Sequence, residues 1–420
     1  MSRSSAAASP DVAVVGRGGV GLAAALALSR AGLSTTLIGA PQPADSADPW
    51  DLRVFALSPA TRALLDSIGV WHALDARRVA PVYDMRVFPA FASDAHPLHF
   101  CAYEARVDAL AWIVEQRNLM GALEQAARFA RLPVIDEHFD GFEPDADPHS
   151  ASAVLPSAAA HLRLEGGRRL RTRLVVGADG AASRVRSAAG LAWTLSDYPQ
   201  RALVAHFDTE RPHRDIAWQW FGRDGILALL PLPPGTEAGA AAGRVSMVWS
   251  APRDLADALL ALAPDALAAR VQAAAGSALG AMAPISRVEA FPLRLGRVGS
   301  MIAPRVALVG DAAHLVHPLA GQGMNLGFGD VAALAQVLRE RESGRDPGER
   351  LVLRRYQRAR AEPVAAMRGA TDGLQRLFDS TRPPVPAALA PLVESVVGFG
   401  WRAVAGSGWV RRQLVAQAVR

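Results

Sequence analysis

A glycine-rich turn near the N-terminus is the first pattern that could do chemistry. Gly16, Gly18 and Gly21 lie between an apolar run at residues 11–15 and an alanine- and leucine-rich stretch at residues 22–31. The early glycines permit a tight turn that lets backbone amides approach a pyrophosphate, and the last lets a helix pack close to the strand. The helix N-terminus adds partial positive charge. The pattern predicts the phosphate-binding turn of a βαβ unit, although taken alone it also occurs in unrelated α/β proteins.

Two aspartates follow other apolar runs that we interpret as strands. Asp179, with Gly180 beside it, comes after residues 174–177, and Asp311 comes after residues 306–309. Ligands bind at the carboxyl ends of the strands in open parallel sheets, so we expect both carboxylates near the glycine-rich turn. An aspartate in such a position can accept hydrogen bonds from a ribityl chain.

The segment after Asp311 combines small residues with the start of a helix. Gly321, Gln322 and Gly323 come before a helical pattern that starts at about Met324, includes Asn325 and extends to residue 341. The N-terminal end of that helix can face the N1 and C2 carbonyl edge of an isoalloxazine, where it would stabilise an anionic reduced flavin.

One expected residue of a dinucleotide site is absent. The second strand normally ends in a carboxylate for the ribose hydroxyls, but here Ile38 is followed by Gly39 and Ala40. Asp45, Asp48 or a backbone group could replace that carboxylate, and the sequence leaves this open.

The pattern of the remaining chain indicates how these motifs are positioned. A parallel-strand core is interrupted by an antiparallel insert and followed by a helical end, which is an α/β fold. Helices are predicted for residues 63–74, 110–127 and 254–275, and from residue 351 onward with a proline-rich break at 383–386. A surface hairpin loop is predicted for residues 143–160, and antiparallel strands are predicted for residues 202–249.

Composition excludes several classes of protein. The formal net charge is +5, the basic residues are scattered, and all 45 of them are arginine. Nucleic-acid binding is therefore not expected, and without lysine neither a Schiff base nor a phosphate-loop lysine can form. Cys101 is the single cysteine, which fits a reducing cytoplasm. Residues 1–10 do not form a secretory signal, and no apolar run is long enough to span a membrane.

Some residues allow two interpretations. His314 and His317 could be a metal pair, but nothing nearby in the sequence completes a site, so we expect no metal and favour packing around a flavin loop. Trp218, Trp220 and Phe221 could form a substrate wall, or they could simply alternate on a strand. Residues 384–420 have the composition of an interfacial helix, or of a helix packed on its own domain or on a partner subunit.

Taken in order, these motifs resemble those of the single-component FAD-dependent aromatic hydroxylases (class A flavoprotein monooxygenases), and specifically of the ubiquinone-biosynthesis hydroxylases. The narrower resemblance covers most of residues 11–378. It includes the following segments: Asp51-Leu52-Arg53, Ala56-Leu57-Ser58, Ile113-Val114-Glu115, residues 227–232, Tyr356-Gln357-Arg358-Ala359-Arg360, and residues 371–378.

The resemblance implies an FAD-binding, Rossmann-like domain of the para-hydroxybenzoate-hydroxylase type, an antiparallel-sheet substrate domain and a helical C-terminal tail. On this basis the FAD-binding domain would comprise residues 8–75, 105–192 and 285–345, the substrate domain residues 76–104 and 193–284, and the tail residues 346–420.

The resemblance also implies roles for individual residues. Cofactor binding would involve Gly16, Gly18 and Gly21 at the pyrophosphate, Arg53 near the flavin, Gln116 or Arg117 near the pyrophosphate, Asp179 and Gly180 at the groove shared with the reductant, Asp311 at the ribityl chain, and Gly321, Gln322, Gly323, Met324 and Asn325 along the pyrimidine edge. Arg53 and His317 are weak candidates for catalysis, since the flavin carries the chemistry. Three positions depart from the family pattern: Gly39, Ala182 and the bulky Arg17.

The implied reaction is hydroxylation of the ring of a polyprenylated phenol. NADH or NADPH would dock transiently beside Asp179, since no second dinucleotide motif is present, and the reduced FAD would react with O2 to form a C4a hydroperoxide that transfers oxygen to the ring. The protein would be cytoplasmic, with contact to the membrane surface or to a biosynthetic complex. The alternatives are a hydroxylase of a small soluble aromatic compound, a flavin-dependent reductase of prenyl chains, and a non-catalytic flavin-binding scaffold.

Overall fold

The computed structural model describes residues 9–41, 50–88, 97–143, 159–222, 224–235, 241–315 and 323–378. The helices are α1 Gly19–Arg30, α2 Pro59–Ser67, α3 Ala102–Ala105, α4 Gln116–Phe129, α5 Arg184–Ala188, α6 Arg253–Leu260, α7 Pro264–Ala274, α8 Gly323–Arg339 and α9 Arg350–Phe378. The strands are β1 Val12–Val15, β2 Thr35–Ile38, β3 Val54–Leu57, β4 Val79–Val82, β5 Asp84–Phe88, β6 Leu98–Cys101, β7 Ala111–Glu115, β8 Val134–Ile135, β9 Phe139–Phe142, β10 Ala160–Leu164, β11 Arg169–Thr172, β12 Leu174–Gly177, β13 Trp193–Thr209, β14 Ile216–Gly222, β15 Gly225–Leu232, β16 Gly243–Pro252, β17 Met282–Pro284, β18 Glu289–Val298, β19 Ile302–Ala303, β20 Val306–Leu308 and β21 His314–Leu315.

A six-stranded sheet in the order β19-β20-β12-β1-β2-β8 forms the parallel core, with β19 as an antiparallel edge. Its central strands are runs of valine, alanine and leucine in which every residue is buried. Such uninterrupted apolar runs are typical of parallel strands covered on both faces. Helices α1 and α8 and the buried Tyr356 of α9 belong to the same apolar core, and the predicted parallel core is confirmed.

A nine-stranded sheet contains the predicted antiparallel segment. Strands β13, β15 and β16 pair antiparallel, as expected for residues 202–249, whereas β14 also pairs in parallel with β5. Side chains alternate between the faces: Leu203, Ala205 and Phe207 pack with α6 and α7, whereas the opposite face packs against a small sheet formed by β3, β7 and β4.

This alternation decides between the two interpretations of the aromatic residues on β14. Trp218 and Trp220 pack with the cluster that contains α6 and α7 and stack with Phe88 at centroid distances of 6.0 and 5.4 Å. Ala217, which precedes Trp218, faces the small sheet of β3, β7 and β4. The two tryptophans therefore lie on the face that packs with α6 and α7, here called the outer face, whereas Phe221 belongs to a separate cluster with Val87, Leu98 and Ile226.

Several predicted element boundaries were wrong. Residues 110–115, predicted as helical, belong to strand β7, and the helix begins at Gln116; the bulky run Ala111–Glu115 pairs with β3 and β4, so pairing overrode the apparent helical spacing. The predicted helix 254–275 is two helices, because Pro264 starts a new one at its first turn. The predicted helix 63–74 begins earlier, with Ser58 as its N-cap, and ends at Ser67 before Gly69, whose φ is +76°.

The remaining predictions concern the hairpin, the tail and the domain limits. Strands β9 and β10 pair antiparallel, as a hairpin requires, although the loop at 144–158 and the tail beyond residue 378 lie outside the described residues. By strand pairing β18 belongs to the nine-stranded sheet, although the sequence division assigned 285–345 to the FAD-binding domain; the limits themselves stay a prediction. In the described part of the chain, no helix is long and apolar enough to cross a membrane.

Candidate active site

The three motifs converge because their strands are parallel neighbours. In the sheet register Val15 lies beside Gly177, and Gly177 lies beside Leu308. The next backbone bonds continue this alignment, from Ala178 N to Val15 O at 2.7 Å and from Val309 N to Gly177 O at 2.9 Å. The glycine-rich turn, the Asp179 segment and the Asp311 segment therefore leave the same edge of the sheet, which is where such sheets bind ligands.

The turn after β1 has the close contacts that a nucleotide phosphate site requires. Gly16 has a φ of +118°, and a Cβ there would lie 2.2 Å from Ala178 O. A Cβ on Gly21 would lie 1.8 Å from Gly16 O, so the first turn of α1 packs directly on the loop. Gly18 is the N-cap and has no side chain to cover the helix end. The first amides of α1 lack intrahelical partners, so this cradle fits the pyrophosphate of FAD.

Asp179 organises the second motif through its carboxylate. Ser183 Oγ donates to Asp179 Oδ1 at 2.5 Å, and Val185 N donates to Asp179 Oδ2 at 3.1 Å. Ser183 Oγ in turn accepts a bond from Arg186 N and caps α5. Asp179 thus lies at the predicted edge and holds the following helix in place, while its contact with a reductant stays a prediction.

Arg186 joins the second motif to the third, a role that the sequence did not indicate. Its guanidinium donates to Ala312 O at 3.1 Å and to Ala181 O at 2.7 Å, and it lies over the Trp193 ring at 3.9 Å. Burial lowers the pKa of Arg186, opposed by the Asp179 charge. The buried arginine therefore fixes the distance between the two cofactor segments.

Asp311 lies in the first residues after β20, at the predicted edge. Residue Asp311 is exposed to solvent. Desolvation raises the pKa of Asp311, with a lowering contribution from His314 and a raising one from Asp330. An exposed carboxylate at this edge is free to accept hydrogen bonds from ligand hydroxyls. Its position supports the predicted contact with the ribityl chain.

A buried ionic cluster beneath Asp311 escaped the sequence analysis. Asp330 of α8 accepts hydrogen bonds from Gly310 N at 2.9 Å, His314 Nε2 at 2.6 Å and Arg360 Nε at 2.6 Å. Burial would raise the pKa of Asp330, but His314, Arg360 and the Gly310 amide together lower it. The cluster ties α8 and α9 to the turn that carries Asp311, so it positions that turn. It also gives His314 Nε2 a carboxylate partner. His317, the other residue of the candidate metal pair, lies outside the described residues, and among the described residues no group of three or more potential metal ligands occurs.

A second cluster positions Arg53. The Asp51 carboxylate accepts from Arg53 N at 3.0 Å and from Arg117 N at 2.8 Å, while Asp51 N donates to Glu115 at 2.9 Å. Glu115 is buried and receives two bonds from Arg78. Gln116 N donates to Arg53 O at 2.9 Å. The family motifs around residues 51–53 and 113–116 therefore meet, as their candidate roles require.

The Arg53 side chain is exposed at the junction of the two sheets. Its guanidinium lies 5.2 Å from the centroid of Phe291 of β18, on the face opposite Leu203 and Phe207. On the same face, His206 Nε2 lies 2.9 Å from Asp51 O. Because a carbonyl only accepts, Nε2 carries the proton, and desolvation lowers the pKa of His206 so that it stays neutral. His206 thus fastens the substrate sheet to the Arg53 segment.

The start of α8 is fastened to the same region. Asn325 Oδ1 accepts from Ser58 N at 3.0 Å and from Thr61 Oγ1 at 2.8 Å, and its amide donates to Ala56 O at 2.7 Å. Met324 contacts Gly19 at the start of α1. The N-terminus of α8, beginning at Gly323, therefore lies beside the glycine-rich turn. Three other candidates, namely His317, Gly321 and Gln322, lie outside the described residues, as do Asp45 and Asp48.

Comparisons with known proteins show the family to which the chain belongs. The family model described as FAD binding domain matches residues 9–370. A ubiquinone hydroxylase of Rhodospirillum rubrum is 36% identical over 388 residues, covering 90% of this chain and 84% of that protein. The 3-demethoxyubiquinol 3-hydroxylase of Escherichia coli is 34% identical over 387 residues, covering 89% of this chain and 91% of that protein.

Solved structures share the fold. PqsL, a probable FAD-dependent monooxygenase from Pseudomonas aeruginosa, matches with a TM-score of 0.66 at 24% identity. The superposition covers 94% of this chain and 99% of the PqsL chain. The p-nitrophenol 4-monooxygenase PnpA from Pseudomonas putida matches with a TM-score of 0.68 at 18% identity. The superposition covers 97% of this chain and 96% of the PnpA chain.

The first prediction concerns the glycine-rich turn. Gly21→Ala places a methyl group against Gly16 O, and overpacking of this kind costs about 1–3 kcal/mol and displaces the turn, so the variant should retain less than about a tenth of the wild-type FAD. The flavin content of the purified protein is measured from its visible absorbance. Gly121→Ala is the matched control, because Gly121 lies in α4 with no atom within 4 Å of an added Cβ. Equal flavin content in both variants would contradict the assigned role of the turn.

The second prediction concerns the Asp330 cluster. Asp330→Asn leaves Arg360 buried without its carboxylate, which should lower the free energy of unfolding by about 3–5 kcal/mol near neutral pH. The pKa of Asp330 is lowered in the folded state from its ordinary value of 3.8. The ionised carboxylate therefore contributes its full share to the free energy of unfolding above pH 3.8, and this share is lost as the pH falls through the pKa of the folded state. Urea unfolding should therefore show a gap between wild type and variant that narrows in acid. The exposed Asp66→Asn, which removes a carboxylate beside His72, is the control; a gap independent of pH would argue against the ionic cluster.

Proposed function

The chain belongs to the FAD-dependent hydroxylases of ubiquinone biosynthesis, and from this membership we propose that it hydroxylates the aromatic ring of a polyprenylated phenol with NAD(P)H and O2. The single observation that supports the proposal is the meeting of the glycine-rich turn, the Asp179 segment and the Asp311 segment at one sheet edge. Arg53 lies against Phe291 of the antiparallel sheet. The names of the two bacterial relatives support the substrate class.

The residues of the chain hold and orient the cofactor. Gly16, Gly18 and Gly21 bind the pyrophosphate through backbone amides, and Asp311 accepts from the ribityl hydroxyls. The N-terminus of α8 places partial positive charge at the pyrimidine edge of the flavin. Bound FAD supplies the redox chemistry: it takes electrons from the nicotinamide and activates O2 for transfer of one oxygen atom.

The substrate lies between the Arg53 segment and the nearby face of the nine-stranded sheet. Around Arg53 this face carries Phe291, Ala202 and Val204. Apolar walls suit a prenylated ring and exclude water from the reacting atoms. Arg53 is the charged group beside this space, so it orients the phenol oxygen and stabilises negative charge there.

The reductant and the location of the protein complete the proposal. The nicotinamide nucleotide docks transiently beside Asp179, whose carboxylate shapes the groove by holding α5.

Access to a polyprenylated substrate requires contact with the membrane surface or with a complex that presents it. The composition of residues 384–420 supports such a contact.

The third prediction tests the function as a whole. Purified protein should be yellow, and a demethoxylated or otherwise under-hydroxylated prenyl phenol should stimulate both NAD(P)H oxidation and O2 uptake. Deletion of the gene in the host should deplete ubiquinone and accumulate the precursor, which mass spectrometry identifies. Stimulation by small soluble phenols alone would favour a hydroxylase of a soluble aromatic compound. NAD(P)H consumption without O2 uptake would favour a reductase of prenyl chains. Bound FAD without substrate-stimulated NAD(P)H oxidation would favour a non-catalytic scaffold.

The fourth prediction concerns Arg53. At saturating FAD, Arg53→Ala should lower the yield of hydroxylated product per NAD(P)H by about 10-fold or more, since a charge-assisted bond to the substrate is lost. Product is measured against NAD(P)H consumed. Arg86→Ala is the matched control, because Arg86 also stacks on an aromatic ring, that of Trp218, but on the outer face. The same loss in both variants would exclude a role for Arg53 at the substrate.

A further inference from the structure

The end of β2 lacks the carboxylate that normally binds a ribose, but the neighbouring strand carries one. Strand β8 pairs in parallel with β2 so that Ile38 lies beside Ile135, and Gly39 N donates to Ile135 O at 3.0 Å. Asp136 is the first residue after β8 and therefore leaves the sheet beside Gly39. Parallel pairing puts its carboxylate at the edge where the glycine-rich turn lies.

Arg17 links that carboxylate to the turn. Arg17 NH1 lies 2.6 Å from Asp136 Oδ1, and the two side chains are 19% and 65% exposed. The pair joins residues 119 positions apart and bridges the ends of β1 and β8 across the intervening β2. Arg17, which is bulky for its place, also lies against Gly39, the residue that stands where the family usually has an acid.

The same contact explains why residue 39 is glycine. A Cβ at Gly39 would lie 3.0 Å from Arg17 N and 3.1 Å from Arg17 Cβ, and the backbone has a φ of +155°. Any larger side chain would have to displace the turn, so an acid cannot be accommodated there without cost. Two of the departures from the family pattern, Arg17 and Gly39, are therefore in contact with each other, and Arg17 joins them to Asp136.

We propose that Asp136 binds the ribose hydroxyls of the adenosine half of FAD and that Arg17 positions its carboxylate. The inference rests on the FAD binding described above. Asp136 Oδ1 is engaged by Arg17, whereas Oδ2 has no partner within the described residues and can accept a hydroxyl. The Nε of Arg17 is also buried without a partner in the described part of the chain, as expected where a ligand completes the site.

Charge favours a ribose over a phosphate at this position. An arginine without an acid at the second strand is the pattern that accommodates the 2′-phosphate of NADP. Here Asp136 pairs with the guanidinium, so the positive charge that would favour a 2′-phosphate is offset. The site therefore selects a nucleotide with free ribose hydroxyls.

The test compares FAD with FMN, which lacks the adenosine half. Apoprotein is titrated with each flavin, and the change in flavin fluorescence gives the Kd for wild type, Asp136→Ala and Asp257→Ala. Asp257 is the matched control, because it pairs with Arg201 on the exposed side of α6 in the substrate domain. Loss of a charge-assisted bond should raise the Kd of Asp136→Ala for FAD about 10-fold or more and leave its Kd for FMN unchanged.

Arg17 is tested as a positioning residue by a double-mutant cycle. Arg17→Ala should weaken FAD binding in the wild type but have little further effect in Asp136→Ala, since both substitutions remove one arrangement. Additive effects would show that Arg17 acts separately from Asp136 and would overturn the positioning role.

Each outcome has a distinct meaning. An unchanged Kd of Asp136→Ala for FAD, or equal weakening of FAD and FMN, would overturn the ribose assignment. Tighter binding of NADP+ than of NAD+ as competitors of FAD would overturn the selection against a 2′-phosphate. If wild-type apoprotein binds neither flavin, the proposed function fails, which is distinguishable from failure of this inference alone.

Discussion

The cofactor site exists because three parallel strands end at the same level. Strands β1, β12 and β20 are neighbours in register, so the residues after Val15, Gly177 and Leu308 emerge side by side. The apolar cores of these strands bring together chain segments that are far apart in sequence, and the backbone ladder sets their alignment. Each polar group of the candidate site is placed relative to this edge, so a shift of one strand would separate the glycine-rich turn from the Asp179 and Asp311 segments.

Buried charges then fix the loops that the strands leave free. Asp330 holds the Gly310 turn, and Glu115 holds the Asp51 segment, each with an arginine as its main counterion. Arg186 spans from the second motif to the third. A buried charge is stable only when its partners are placed accurately. These clusters therefore make the loops rigid, and a rigid loop is what preorganised cofactor binding requires.

The nine-stranded sheet is joined to the Arg53 segment by a hydrogen bond and by a cation–π contact. The face of the nine-stranded sheet opposite α6 and α7 meets the Arg53 segment through the His206 bond to Asp51 and the stacking of Arg53 on Phe291. A neutral histidine and an exposed arginine leave apolar surface beside the cofactor edge. This arrangement allows an apolar ring to approach while a charge remains available for its oxygen.

The sequence by itself determined the glycine-rich turn, the parallel core and the two aspartates, because these depend on local backbone geometry and on uninterrupted apolar runs. It misjudged residues 110–115, since a short apolar run fits a helix or a buried strand equally well until its pairing partners are known. Only the tertiary structure revealed the Asp330 cluster and the pairing of Arg17 with Asp136. These side chains are distant in sequence and carry no spacing signal, so their contacts are decided by which strands and helices become neighbours.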